Sequence, residues 1–278
     1  MKTRSLGRSG AMVAVIGQGT WELELADEAE ATRALHAGLE LGLTHVDTAE
    51  MYGDGGSEEL VAEAIAGRRE NIYLVSKVLP ENASRRGTIA ACERSLARLK
   101  TDYLDLYLLH WQGSIPLAET LDAFVRLRDR GLIRYYGVSN FDRADLTEAQ
   151  SLAGGSELAT NQVLYNLEQR GIEWDLMPWC RERGMPLMAY SPLGSNSQRL
   201  RTHPVLRTIA ARLSATPARL ALAWLLRQPD VVVIPKAANE AHVRDNHAAL
   251  DLHLAATDLA ELERAFPPPQ SATALAMI

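Results

Sequence analysis

The sequence predicts an α/β fold, a single (β/α)8 TIM barrel with a short N-terminal β segment and a short C-terminal tail. Three observations predict it. Short β-rich runs alternate with longer amphipathic stretches eight times within 278 residues. No linker or low-complexity break interrupts them before the prolines at 267–269, so the chain from 1 to 278 reads as one domain. Runs such as Tyr103-Leu104-Asp105-Leu106-Tyr107-Leu108-Leu109 and Val231-Val232-Val233-Ile234 are almost continuously apolar, as parallel strands covered on both faces must be.

The first strand is predicted at 13–16, followed by a helix over 27–41 that Asp27 caps and Gly42 stops. Strand 44–48 leads to helix 57–66 with Ser57 as its cap, and strand 71–77 to helix 84–99 behind Ser84. Strand 103–110 precedes helix 117–129, which Gly131 ends, and strand 133–139 precedes helix 142–152, capped by Asp142. Strand 159–163 is followed by helix 173–183 and its stop at Gly184, and strand 186–190 by helix 217–227, whose Pro217 suits a first turn. Strand 231–235 and helix 239–250 complete the set. A doubly wound open sheet is the structural alternative. It would announce a dinucleotide with GxGxxG, whereas Gly17-Gln18-Gly19-Thr20-Trp21-Glu22 lacks the third glycine, so any nucleotide is bound in another way.

A formal net charge of -6 gives no basic footprint for nucleic acid or an anionic membrane surface. The early apolar run at 11–16 is too short for a signal segment and nothing approaches a membrane span, which makes a cytoplasmic protein the expectation. Cys92 and Cys180 stand alone, with no CxxC and no histidine at ligand spacing. They read as buried small hydrophobes, and no metal site is expected.

In a barrel of this kind chemistry is assembled at the C-terminal ends of the strands. Those ends carry Asp47, Lys77 and His110, with Tyr52 five residues beyond Asp47. Singly each has a bland reading, as a cap, a solvated charge, a core histidine and a packing ring. Jointly they put four groups able to move or stabilise a proton on one rim. Tyrosine, with a reference pKa of about 10, is a weak acid until its anion is stabilised. An ammonium about 4 Å away is worth roughly 4 kcal/mol, or about three pKa units before desolvation. Lys77 is therefore expected to bring Tyr52 toward operating pH, Asp47 to keep Lys77 charged and oriented, and His110 to fix a substrate carbonyl by a hydrogen bond.

The segments Asp47-Thr48-Ala49-Glu50-Met51-Tyr52, Val75-Ser76-Lys77 and Leu108-Leu109-His110-Trp111 resemble the catalytic motifs of the aldo-keto reductases. Gly137-Val138-Ser139-Asn140, Asn161-Gln162-Val163-Leu164-Tyr165-Asn166, Ala189-Tyr190-Ser191-Pro192-Leu193-Gly194 and Ile234-Pro235-Lys236 resemble that family's cofactor segments, in the same order. The likeness runs from Gly17 to Asn246 and implies the same barrel. It implies NADPH-dependent reduction of aldehydes and ketones, with Tyr52 as proton donor, and wording closest to prokaryotic members that reduce 2-oxoaldehydes such as methylglyoxal.

On the same resemblance Tyr190 stacks on the nicotinamide, and Ser139, Asn140 and Gln162 hold its carboxamide. Ser191, Leu193 and Ser195 follow the pyrophosphate, and Gly19 and Thr20 border the cofactor. The family's phosphate clamp maps onto Lys236, but its hydroxyl and arginine positions are Ala237 and His242 here, leaving Asn239 and Arg244 to help select NADPH over NADH. Asp245 and Asn246 occupy positions that the family uses near the adenine, with a capping or solvated place on a surface helix as the alternative, while His242, His247 and His253 read as surface residues. Trp21 and Trp111 resemble walls of the substrate pocket, Glu50 reads as a solvated loop carboxylate, and the short tail implies an open mouth. A monomer is the family expectation. The alternative activity is a cofactor-sensing subunit with little turnover.

Overall fold

The computed structural model describes residues 2–7, 10–194 and 197–278. A hairpin of β1 (Thr3–Ser5) and β2 (Met12–Ala14) precedes eight parallel strands: β3 (Gln18–Gly19), β4 (His45–Asp47), β5 (Tyr73–Val78), β6 (Leu104–Leu109), β7 (Ile133–Ser139), β8 (Asn161–Leu164), β9 (Leu187–Tyr190) and β10 (Val231–Val233). They lie side by side in chain order. Residues 15–19 close the ring against β10. Val233 N donates to Val15 O at 2.9 Å, Gly17 N to Val233 O at 2.8 Å and Gly19 N to Pro235 O at 3.1 Å. The result is the (β/α)8 barrel that the alternation predicts.

The expected first strand at 13–16 is divided. Residues up to Ala14 pair antiparallel with β1, and the barrel strand follows. Both halves are buried, so hydrophobicity alone does not separate them. Val13 joins Leu6, Val75, Leu106, Leu108, Met188 and Val232 in a cluster inside the barrel. The hairpin is held there partly by Arg4, which donates to Leu226 O at 2.5 Å and to Val231 O.

The helices are α1 (Glu28–Glu40), α2 (Gly56–Ile65), α3 (Arg85–Leu99), α4 (Leu117–Asp129), α5 (Arg143–Ser151), α6 (Leu176–Glu182), α7 (Ser197–Thr202), α8 (Pro204–Arg212), α9 (Pro217–Leu226), α10 (Glu240–Ala248) and α11 (Ala256–Ala265). Asp27, Ser84 and Asp142 cap as predicted, each accepting a first-turn N–H. Ser57 does not, because the cap position of α2 falls on Gly55, whose φ of 97° only glycine adopts freely. The Ser57 hydroxyl instead donates to Thr20 O and to Glu24. Helix α6 starts at Leu176 because a 3-10 turn occupies Gly171–Glu173. The pattern passed over α7, α8 and α11. Helices α8 and α11 pack together through Arg212, which bonds Asp258 and, at 3.1 Å, Glu261. No described helix is long and apolar enough to cross a membrane, and both cysteines are free and buried.

Side chains alternate along a strand, so every second residue enters the barrel. Stepping two residues toward the C-terminal rim leads from Val75 to Lys77, from Leu106 and Leu108 to His110, from His45 to Asp47 and from Met188 to Tyr190. The inner layers are therefore apolar at the floor and chemical at the rim.

His45 is the exception below the rim, fully buried and edge-on to Tyr73, with no side-chain partner for either ring nitrogen among the described residues. Burial, only partly opposed by Asp47, pushes its pKa down to about 4. The folded protein thus keeps His45 neutral where the unfolded chain, near 6.5, takes up a proton. Its stabilising contribution is complete above pH 6.5 and declines as pH falls toward 4, by about 3 kcal/mol in all. Thermal unfolding is expected to show this loss between pH 7 and 4, with His45→Phe flattening the dependence. An unchanged slope in that variant would remove His45 as its source.

Candidate active site

Lys77, with no exposed surface, is the centre of the rim cluster. Its ammonium donates to Asp47 Oδ1 at 2.6 Å, Thr48 O at 2.8 Å and the Tyr52 hydroxyl at 3.2 Å, which uses all three of its protons. The second carboxylate oxygen of Asp47 accepts from Gln162 Nε2 at 2.7 Å, across the barrel. His110 meets Tyr52 edge-on, with ring centroids 5.8 Å apart. The four residues singled out in the sequence converge here.

The electrostatics refine the expectations. Burial alone would lower Lys77, but Asp47 and Tyr52 outweigh it and hold its pKa above the ordinary lysine value, so the ammonium persists. For Tyr52, burial outweighs the pull of Lys77, and its hydroxyl is raised rather than brought toward neutrality. The expected acidification is thus reversed: Tyr52 stays protonated and Lys77 limits how far it rises. His110 is driven to about 2 by burial and then by the Lys77 charge, so it is neutral at any working pH.

Tyr52 is presented by a tight turn. Gly53, Asp54 and Gly55 all have positive φ, and a Cβ on Gly53 or Gly55 would lie 2.5 Å from Glu24 or Arg98. Glu50 braces the same segment and corrects its reading as a solvated carboxylate. It is 8% exposed, and its Oε1 accepts from Leu79 N at 2.8 Å and Asn82 Nδ2 at 2.9 Å, with Arg94 at 3.4 Å. Glu50 ties the loop carrying Tyr52 to the loop that follows Lys77.

At the ends of β7 and β9, Asn140 and Ser191 adopt φ of 61° and 43°, a region costly for side-chain-bearing residues. Asn140 Nδ2 donates to His110 O at 3.1 Å and Ser139 Oγ at 3.2 Å, and its Oδ1 accepts from Tyr190 at 2.8 Å. Ser139 Oγ also donates to Gln162 O at 2.9 Å. The Tyr190 ring is half-buried. Burial, offset in part by a hydrogen bond with the Ile278 backbone, raises its hydroxyl to about 12.

A cavity of about 760 Å³ opens beside this cluster, from Asp47, Tyr52 and Tyr190 to the start of α10. Gly19, Thr20, Trp21, Ser191, Leu193, Lys236 and Asn246 line it, as expected. Five expected cofactor residues do not line it: Ser139, Asn140 and Gln162 sit at the ends of β7 and β8 in the hydrogen bonds just described, Asn239 caps α10 through His242 N, and Arg244 is exposed and turned to Glu240 at 3.4 Å. The Gln162 amide is engaged by Asp47 rather than open to a ligand, Trp111 stacks obliquely on His110 at 4.9 Å, and Ser195 lies outside the described residues. Arg201, Thr216, Pro217, Ala218 and His242 also line the cavity without having been foreseen as binding residues. Pro217 signals a helix start in the sequence, but nothing local marks Arg201 as facing a ligand. A second cavity of about 740 Å³ lies under the tail, bordered by Asp142, Arg170 and Leu275, and contains none of the four rim residues. No His, Cys, Asp or Glu cluster among the described residues suits a metal ion.

The model of the Aldo/keto reductase family matches residues 15–266. The chain is 50% identical over 269 residues to the methylglyoxal reductase YeaE of Escherichia coli (strain K12), covering 95% of this chain and 94% of that protein. It is 32% identical over 255 residues to the glyoxal reductase of Bacillus subtilis (strain 168), covering 92% and 90%. A crystal structure of an aldo-keto reductase from Klebsiella pneumoniae in complex with NADPH superposes with a TM-score of 0.96 at 47% identity, over 100% of both chains.

Proposed function

The chain belongs to the aldo/keto reductase family, and from that premise we propose that it reduces small 2-oxoaldehydes such as methylglyoxal, and aldehydes more broadly, with NADPH as reductant and Tyr52 as proton donor. The observation that carries this reading is the chain of contacts from Gln162 through Asp47 and Lys77 to the Tyr52 hydroxyl, beside a neutral His110.

The cavity suits an extended nucleotide. It runs from the Tyr52 hydroxyl past the half-buried face of Tyr190 to Lys236, a cation with no acidic partner among the described residues. Tyr190 would stack on the nicotinamide and Asn140 with Ser139 would hold its carboxamide. The strained backbone of Asn140 and Ser191 fits residues held for a ligand's sake. Gly19, Thr20 and Leu193 would flank the remainder, and Asn246 would approach the adenine. When bound, NADPH supplies the hydride to the carbonyl carbon.

The protein's own part is the proton. A carbonyl oxygen seated between Tyr52 and His110 receives a hydrogen bond from each before reaction. A neutral imidazole has one N–H, and placing it on Nε2 leaves the buried, partnerless Nδ1 as a lone pair instead of an unsatisfied donor. As negative charge develops on that oxygen it becomes a stronger base than phenolate, and Tyr52 transfers its proton. The new phenolate lies 3.2 Å from the Lys77 ammonium, which is held charged by Asp47. Stabilisation thus appears where charge forms, not in the resting state. Trp21 and Trp111 would give the substrate rigid apolar walls.

The test is aldehyde-dependent loss of NADPH absorbance, with methylglyoxal and a panel of aliphatic and aromatic aldehydes, repeated with NADH. Turnover led by methylglyoxal, with a higher kcat/KM for NADPH, is expected. Binding of NADPH with no turnover of any carbonyl would sink the reductase reading in favour of a sensing role.

A further inference from the structure

Resting on the reading of NADPH as cofactor, we infer that Arg201, on α7, is the second cation of the subsite that takes the phosphate on the adenosine ribose, in the role that the sequence leaves to Arg244.

The cavity has two ends. The Tyr52 end is spoken for by the proton chemistry, and the far end is walled by the starts of α9 and α10 with Lys236 and Arg201. Arg201 and Pro217 also share the shallow depression next door, which puts Arg201 beside the first turn of α9. Arg199 pairs with Glu168 at 2.7 Å, Arg219 with Asp245 at 2.7 Å, Arg212 with Asp258 and Glu261, and Arg244 with Glu240, while Arg207, which has no such pair among the described residues, borders only the depression next door and not the cavity. Arg201 and Lys236 have no acidic partner among the described residues. Asp245 is the carboxylate at that end, and Arg219 and Thr216 already hold it. In a chain with 35 acidic and 29 basic residues, two unpaired cations facing one cavity are set for an anion of high charge. A ribose phosphate brings that charge, and a bare ribose hydroxyl does not.

The experiment is calorimetric titration of 2′,5′-ADP and 5′-AMP, which differ only in that phosphate, into the wild type, Arg201→Ala, Arg201→Lys and Arg244→Ala. Arg201→Ala is expected to weaken 2′,5′-ADP by roughly 10- to 100-fold and to leave 5′-AMP unchanged, the worth of one charge-assisted contact. Arg201→Lys keeps part of the discrimination, and Arg244→Ala keeps all of it. Equal weakening of both ligands, or discrimination that survives in Arg201→Ala, overturns the inference alone. A wild type that binds the two equally removes the NADPH reading together with it. Arg201 is exposed on a short surface helix, so the substitution does not endanger the fold.

Discussion

Tyr52→Phe is expected to lower kcat for methylglyoxal by about 10²- to 10⁴-fold, the usual worth of a positioned general acid, while leaving NADPH binding and thermal stability close to wild type. The ring that packs against His110 is retained, and only the hydroxyl that reaches Lys77 is lost. Because burial keeps that hydroxyl above the ordinary tyrosine value, the donor form prevails across neutral pH. Reduction should therefore hold through neutrality and fall only as alkaline pH deprotonates Tyr52, and this fall should vanish in the residual activity of Tyr52→Phe. Full turnover by the variant, followed as NADPH absorbance, would assign the proton to another group.

Lys77→Met should be as damaging to turnover and far more damaging to stability. The substitution leaves the Asp47 carboxylate in the barrel with only Gln162 as a partner, and removing one member of a buried ion pair typically costs about 3–5 kcal/mol. Without the ammonium, nothing opposes the burial that raises Tyr52. Urea unfolding of Lys77→Met, Asp47→Asn and the double variant separates the causes. The double variant should recover part of the stability lost in Lys77→Met, since it no longer strands a charge. Simple additivity of the two losses would mean that Lys77 and Asp47 do not act as a pair.

The barrel was legible because most of the eight runs are apolar or β-branched and each is followed by a helical stretch, several of them with a capping residue at the start. Its failures are local. Residues 13–16 read as one strand because both the hairpin and the closing strand bury their side chains. Helix α7 escaped notice because a six-residue polar helix carries too little periodicity to register. At the site, Asp47, Lys77 and His110 could be read from their residue types at strand ends. Contacts spanning the barrel could not: Gln162 lies 115 residues from the Asp47 it bonds. Glu50 looked like a loop charge because its partners, Leu79 and Asn82, belong to another β/α unit. The direction of the Tyr52 shift depends on how much water is excluded, a quantity set by the whole rim. Arg201 has the same difficulty, since its role is defined by which other arginines find acids.

The plugged floor governs traffic. Leu6 and Val13 fill the barrel's lower end, so whatever reaches Tyr52 enters by the upper mouth and leaves by it. Tyr52 and Tyr190 border the same cavity, so on the proposed function cofactor and carbonyl compound share that one mouth, closed off from below by a hairpin.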